Sequence, residues 1–170
     1  MTDTRIVVRT ARADYAEAVS ALLAATYPVL FSGAYSAEVL ALALPLLTRS
    51  NPRLLPSGTF HVAENDNGEI VGCGGWSFEH PGSGEVVAGM GHIRHFATHP
   101  DWTRRGIGRA LLSRCIGQAT ERGVGILECQ SSLVAEAFYR SQGFAPVEEI
   151  GVELAPRVMF AGILMRLSIG

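Results

Sequence analysis

A chain of 170 residues has the size of one compact domain and is too short for two comfortable ones. Hydrophobic residues make up 48% and charged residues 18%, which supplies a sizeable core and argues against disorder. The net charge of −2 argues against nucleic-acid binding by bulk charge, and all 14 basic residues are arginine, which excludes Schiff-base chemistry, a phosphate-loop lysine and a Ser-Lys dyad.

Residues 5–9 read as a short strand. Asp14 then offers a helix N-cap with Glu17 completing a capping box, and Ala16, Val19, Leu22, Leu23 and Tyr27 recur at helical spacing until Pro28. A second periodic stretch starts at Ser36 and uses Val39, Leu40, Ala43, Leu46 and Leu47. Pro45 inside it predicts a kink or a break. Residues 59–64 and 69–78 are β-rich runs joined by Asn65-Asp66-Asn67-Gly68, a hairpin signal. After a Gly-rich connection over 79–91, residues 92–98 form the next strand, closed by His99-Pro100. A helix is expected from 106 to 121, with Ile107, Leu111, Cys115 and Ala119 on its apolar face. Residues 124–129 are a strand, and 132–142 a helix with Ser132 as N-cap and Gly143 as its C-terminal glycine. Strands over 145–153 and 158–167 close a single mixed α/β domain, residues 1–170.

Cys73, Cys115 and Cys129 are odd in number and lack ribbon spacing, so neither a disulfide framework nor a zinc ribbon is indicated. His92, His95 and His99 would align only on a helix. On a strand, alternation sends His92 to the face opposite His95 and His99, so no metal site is expected. Met1 to Arg5 lacks a signal-peptide pattern and no apolar run approaches the roughly 20 residues that span a bilayer. A cytoplasmic protein with no membrane partner is the expectation.

The segment from Ile93 to Leu112 is a strand that feeds a loop with two arginines and two glycines and opens into an amphipathic helix. Unpaired N–H groups and the dipole at a helix start favour an anion, and Gly106 and Gly108 let a phosphate approach the backbone. A dinucleotide fingerprint fails because its third glycine position is Leu111, and a Walker loop fails for want of lysine.

Thr103-Arg104-Arg105-Gly106-Ile107-Gly108 resembles the Gln/Arg-x-x-Gly-x-Gly/Ala loop of the GNAT superfamily of acyl-CoA N-acyltransferases, with Thr103 departing at the first position. Ala135-Glu136-Ala137-Phe138-Tyr139-Arg140-Ser141-Gln142-Gly143-Phe144 is similar to that family's A-x-x-x-[FY]-Y-x-x-x-G-F helix. The resemblance extends over nearly the whole chain. It implies an α/β fold with a mostly antiparallel twisted sheet of about seven strands, a splayed parallel pair and about four helices. It also implies acetyl-CoA as cosubstrate. The pyrophosphate would sit on Arg104, Arg105, Gly106, Ile107, Gly108 and Arg109, and the pantetheine arm on the backbone of Phe96, Ala97 and Thr98. Ser132 stands where the family often has an Asn.

By the same resemblance Tyr139 is the catalytic acid for the leaving thiolate, a task that suits a phenol. His92 stands where many members place a basic Glu and is the first candidate to deprotonate the acceptor; Glu128, Glu79 and water are its rivals. Residues 27–35 would wall the acceptor pocket, with Trp76 and Phe78 as further lining. Direct transfer of acetyl to a primary amine of a small molecule or peptide is the first reading, with a homodimer through the terminal strands as one arrangement. The competing reading is a noncatalytic acyl-CoA-binding module on the same fold. An arginine-rich nucleic-acid binder is disfavoured by the net acidity and the absence of basic runs.

Overall fold

The computed structural model describes residues 5–170; Met1 to Thr4, part of the N-terminal stretch read for a targeting pattern, lie outside the described residues. In chain order the elements are β1 (Val7–Thr10), α1 (Ala16–Phe31), α2 (Ala37–Leu47), β2 (Phe60–Glu64), β3 (Ile70–Ser77), β4 (Met90–Thr98), α3 (Ile107–Glu121), β5 (Ile126–Ser132), α4 (Glu136–Ser141), β6 (Ala145–Ala155) and β7 (Val158–Ser168). The strands form one seven-stranded sheet in the order β1-β2-β3-β4-β5-β7-β6, antiparallel except for β4 and β5. This is the mixed α/β arrangement that the sequence motifs imply.

Two apolar layers cover the sheet. Val19, Leu23, Tyr27 and Phe31 of α1 pack with Ala43 of α2, Phe60, Cys73 and Phe160 on one face. Leu112, Cys115 and Ala119 of α3 pack with Trp76, Ile93, Leu127 and Tyr139 on the other. A side chain at Gly72 of β3 would place its Cβ 2.5 Å from Ile107, so bare backbone there lets the first turn of α3 lie against the sheet.

The hairpin forms as expected: Asn65 Oδ1 accepts from the N–H groups of Asn67 and Glu69, and Gly68 takes φ 78°. Local helix signals were less faithful. The Asp14 capping box does not form, because Arg12 holds the Asp14 carboxylate at 3.0 and 3.3 Å, and α1 starts after a 3₁₀ turn at Ala13–Tyr15. Pro28 does not end α1 and Pro45 does not break α2. Burial of Phe31 one turn beyond Pro28, stacked on Tyr27 at 4.9 Å, outweighs the hydrogen bond lost there. Ser36 caps α2 by accepting from the Val39 N–H. Ser132 is the last residue of β5 and caps nothing: α4 begins later, at Glu136, with Ala135 before it.

Candidate active site

β4 and β5 pair only from Met90 to His92 against Ile126 to Glu128, and then part. Beyond that point a cleft of about 400 Å³ opens between them, lined by Arg94, His95 and Phe96 of β4, Cys129 to Ser132 of β5, Tyr27 and Phe31 of α1, and Tyr139 of α4. A β-bulge marks the divergence. Between Cys73/Ala97 and Gly75/Arg94 the register slips, and His95 adopts φ 50°. The bulge overturns the simple alternation expected for this strand. Gly91 faces Trp76 and Leu127, so His92 points to the α1 side, and His95 lies there too, against Val19, Leu23 and Phe60.

The carbonyls of the bulge are tied down from the protein side. Cys73 donates its thiol to the His95 carbonyl at 3.2 Å, and the Tyr27 hydroxyl donates to the Phe96 carbonyl at 3.0 Å. Tyr27 is fully enclosed and its pKa is pushed far up by burial, so it remains a donor. Sequence reasoning assigned Tyr27 to a pocket wall and missed this bond, which only the packing of α1 on β4 creates.

At the far end of β4 the chain turns through a 3₁₀ segment, Pro100–Trp102, where His99 Nδ1 accepts from the Asp101 N–H. Arg104 at φ 61° and Gly106 at φ 76° then set the entry to α3. The first bond inside the helix runs from the Ala110 N–H to the Gly106 carbonyl, so Ile107, Gly108 and Arg109 present N–H groups with no helical acceptor. No side chain caps them and the first turn holds no carboxylate. Arg104, Arg105 and Arg109 surround this end and are exposed, with Arg105 stacked over Trp102 at 4.5 Å. The two glycines divide the work differently from expectation. Gly106 supplies the left-handed backbone and has open space where a Cβ would be. At Gly108 a Cβ would sit 3.2 Å from the Phe138 ring, so its bareness serves the packing of α3 on α4.

Tyr139 projects from α4 into the cleft between the rings of Phe96, Phe138 and Phe144, and is 5% exposed. Burial, with Cys129 beside it, raises its pKa well above 10. The Cys129 thiol is pushed up to about 12 by burial, so it is no nucleophile at neutral pH. Ser132 lines the cleft from the end of β5. Tyr35, by contrast, leaves the acceptor wall: its hydroxyl donates to the Ala161 carbonyl at 2.7 Å and accepts from the Leu133 N–H at 2.8 Å. Trp76 is fully buried on the α3 face, with its indole N–H on Gln118 Oε1, and Phe78 lines a separate cavity.

His92 is 4% exposed and sits behind the cleft wall rather than in it. Its Nδ1 lies 3.6 Å from Glu128 Oε1, while Arg166 holds Glu128 Oε2 at 3.0 Å. Its Nε2 is buried without a partner, and burial lowers its pKa, which keeps the ring neutral and able to take up a proton. The His80 ring packs edge-on against it at 5.3 Å. His80 Nδ1 accepts from the N–H groups of Gly82 and Ser83, and its Nε2 lies 3.3 Å from the amide nitrogen of Gln130. Among the described residues no cluster of His, Cys, Asp and Glu is arranged to hold a metal ion.

The sheet order, the parted parallel strands and the open helix start together define an acetyltransferase-type fold. The model of the acetyltransferase (GNAT) domain matches residues 56–146, and the chain belongs to that family. Among solved structures it is similar to the PaiA N-acetyltransferase of Thermoplasma acidophilum in complex with coenzyme A, with TM-score 0.75, 15% identity, and coverage of 96% of this chain and 99% of that one. A GCN5-related N-acetyltransferase of Rhodopseudomonas palustris gives TM-score 0.74 at 23% identity, covering 99% of both chains. The N-acetylglutamate synthase of Neisseria gonorrhoeae, complexed with coenzyme A and N-acetylglutamate, gives 0.64 at 18% identity, over 99% of this chain and 36% of that one. No curated protein sequence matches the chain significantly. No helix among the described residues is long and apolar enough to cross a membrane.

Proposed function

We propose that residues 1–170 form a single domain that transfers an acetyl group from acetyl-CoA to a primary amine by direct attack in a ternary complex. The observation that carries this reading is the presence of two features along β4, an open helix start that follows its end and a cleft where it parts from β5. Uncapped N–H groups of Ile107, Gly108 and Arg109 with Arg104 and Arg105 stand at one end, and Tyr139 stands in the cleft where β4 and β5 part. The pyrophosphate of the cosubstrate fits the first, the pantetheine arm lies along Phe96, Ala97 and Thr98, and Ser132 borders it from β5. The Thermoplasma and Neisseria structures are complexes with coenzyme A, which supports coenzyme A chemistry for this fold.

In the transfer the neutral amine nitrogen bonds to the thioester carbonyl carbon, and the C–S bond breaks. The sulfur takes the proton of the Tyr139 hydroxyl, the amine's extra proton leaves to solvent or a base, and the Tyr139 phenolate is reprotonated from solvent to restore the acid. A phenol with a raised pKa remains a competent acid here, because the cleft desolvates a thiolate as well. Burial raises the Cys129 thiol beside Tyr139 to about 12 by the same cause. Its own thiol is protonated, which favours direct transfer over an acyl-cysteine route. His92 would take the amine's proton through a water or along the His80 edge, since it lies behind the wall.

The test is Tyr139→Phe, assayed for acetyl transfer across an amine panel and for acetyl-CoA binding. Loss of turnover with retained binding supports catalysis; wild-type protein that binds acetyl-CoA and acetylates no amine supports a noncatalytic module.

A further inference from the structure

The acceptor side of the cleft contains a charge that the fold does not answer. Arg94 is half-buried on β4, two residues before Phe96 and therefore on the side away from the α3 helix start. Arg94 lines both the main cleft and a second cavity of about 650 Å³. Among the described residues the arginine–carboxylate pairs belong to Arg9, Arg12, Arg140 and Arg166, and Arg94 has none. One bond orients it: Nη1 donates to Ser77 Oγ at 2.9 Å, and that hydroxyl in turn donates to the Glu79 carbonyl. Among the described residues the remaining N–H donors of the fork have no acceptor.

A half-buried guanidinium with open donors is costly to keep unless something negative completes it. Of the groups around it, His92 and His95 are held neutral by burial, and the exposed Glu79 favours the charged guanidinium from a distance but makes no ion pair with it. Arg53 and Arg122, on the second cavity, add positive charge. The same cleft has apolar lining from Leu30, Phe31, Leu46 and Phe160, with Glu153 the one carboxylate among its lining residues. Each cavity has one exposed carboxylate, Glu153 or Glu79, rather than the acidic cluster that would attract a polyamine, and Arg94 offers a planar fork for an anion beside an apolar surface.

We infer that the acceptor is an amine that carries a carboxylate on an apolar body, an amino acid or a short derivative of one, and that Arg94 binds that carboxylate. This rests on the acyltransferase reading above. At about 3.3 Å per strand residue, Arg94 stands one short side-chain reach from the point where the arm of the cosubstrate would end near Phe96. A carboxylate one or two bonds from the reacting nitrogen would therefore be held while the nitrogen faces the thioester. Binding of that anion contributes to positioning rather than to bond making.

The experiment is calorimetric titration of the wild-type protein, Arg94→Gln and Arg94→Lys with the N-acetyl derivatives of phenylalanine, leucine and methionine and with the matching carboxamides, with and without saturating coenzyme A. Wild-type protein should bind at least one free acid about tenfold or more tightly than its carboxamide. Arg94→Gln should erase that preference, Arg94→Lys should keep part of it, and coenzyme A affinity should stay the same in all three. Equal affinity for acid and amide in wild type, no binding of either, or a preference that survives Arg94→Gln would overturn the inference. Failure of coenzyme A to bind would instead reject the acyltransferase reading, while the arms run without it still decide whether Arg94 holds a carboxylate.

Discussion

The hydroxyl of Tyr27, on α1, donates a 3.0 Å hydrogen bond to the carbonyl of Phe96, on β4, just past the bulge at which β4 leaves β5. A strand that has lost its neighbour must satisfy its polar groups elsewhere, and here a helix on one face of the sheet supplies the donor. The bond ties the acceptor-side helix to the strand expected to carry the cosubstrate. Tyr27→Phe retains the stack on Phe31 but strips the buried carbonyl of its donor. We expect a loss of about 1–3 kcal/mol in urea unfolding, with a raised KM for acetyl-CoA. An unchanged unfolding midpoint would show that water replaces the bond at no cost.

Tyr139→Phe removes one oxygen from a fully packed ring. Its expected effect is a fall in kcat of about 10² to 10⁴, the usual contribution of a positioned acid, with little change in acetyl-CoA affinity. Because burial holds the phenol well above 10, wild-type kcat should show no alkaline decline attributable to this group below that pH. Steady-state kinetics across pH 6 to about 10 check both points.

Gly106 and Gly108 should respond differently to alanine. Gly106→Ala meets no atom, so its penalty is the left-handed backbone, about 1–2 kcal/mol, and it distorts the uncapped turn; acetyl-CoA binding should weaken. Gly108→Ala pushes on the Phe138 ring beside Tyr139, so kcat should fall more than coenzyme affinity. Calorimetry and kinetics on the pair distinguish the two. Equal effects on both parameters would refute the division of roles.

The buried His95 makes stability depend on pH. Burial lowers its pKa from 6.5 to about 4, so between these values the unfolded chain binds the extra proton and the folded chain does not. The contribution of up to about 3 kcal/mol is therefore fully present above pH 6.5 and is lost progressively as pH falls toward 4. His61 and His92, also lowered by burial, act in the same direction. His95→Asn, which tolerates the positive φ, should flatten this acid limb in urea unfolding measured at several pH values. A limb of undiminished steepness would place the titration elsewhere.

The element order and the helix start at Gly106 were legible because they follow from patterns carried by neighbouring residues: alternation, apolar periodicity, and a glycine where a left-handed turn precedes a helix. The errors arose where a competing partner or tertiary packing decides. Arg12, two residues before Asp14, takes its carboxylate in place of the cap, and burial of Phe31 in the core carries α1 past Pro28. The bulge at His95 is a slip of register between two strands and leaves no mark in composition, yet it turns His95 to the same face as His92 and prepares the carbonyl that Tyr27 holds. Arg94 reads in the sequence as one more strand residue, and only the folded arrangement of the described residues leaves it without an ion pair.

The central claim is that the uncapped start of α3 and the parted strands together take acetyl-CoA. Calorimetric titration with acetyl-CoA, alongside coenzyme A, ATP and NADH, tests it most directly. Selective binding of acetyl-CoA and coenzyme A in the micromolar range is the result expected. No binding, or binding of ATP as tight as that of acetyl-CoA, would reduce the helix start to a general anion site and contradict the account.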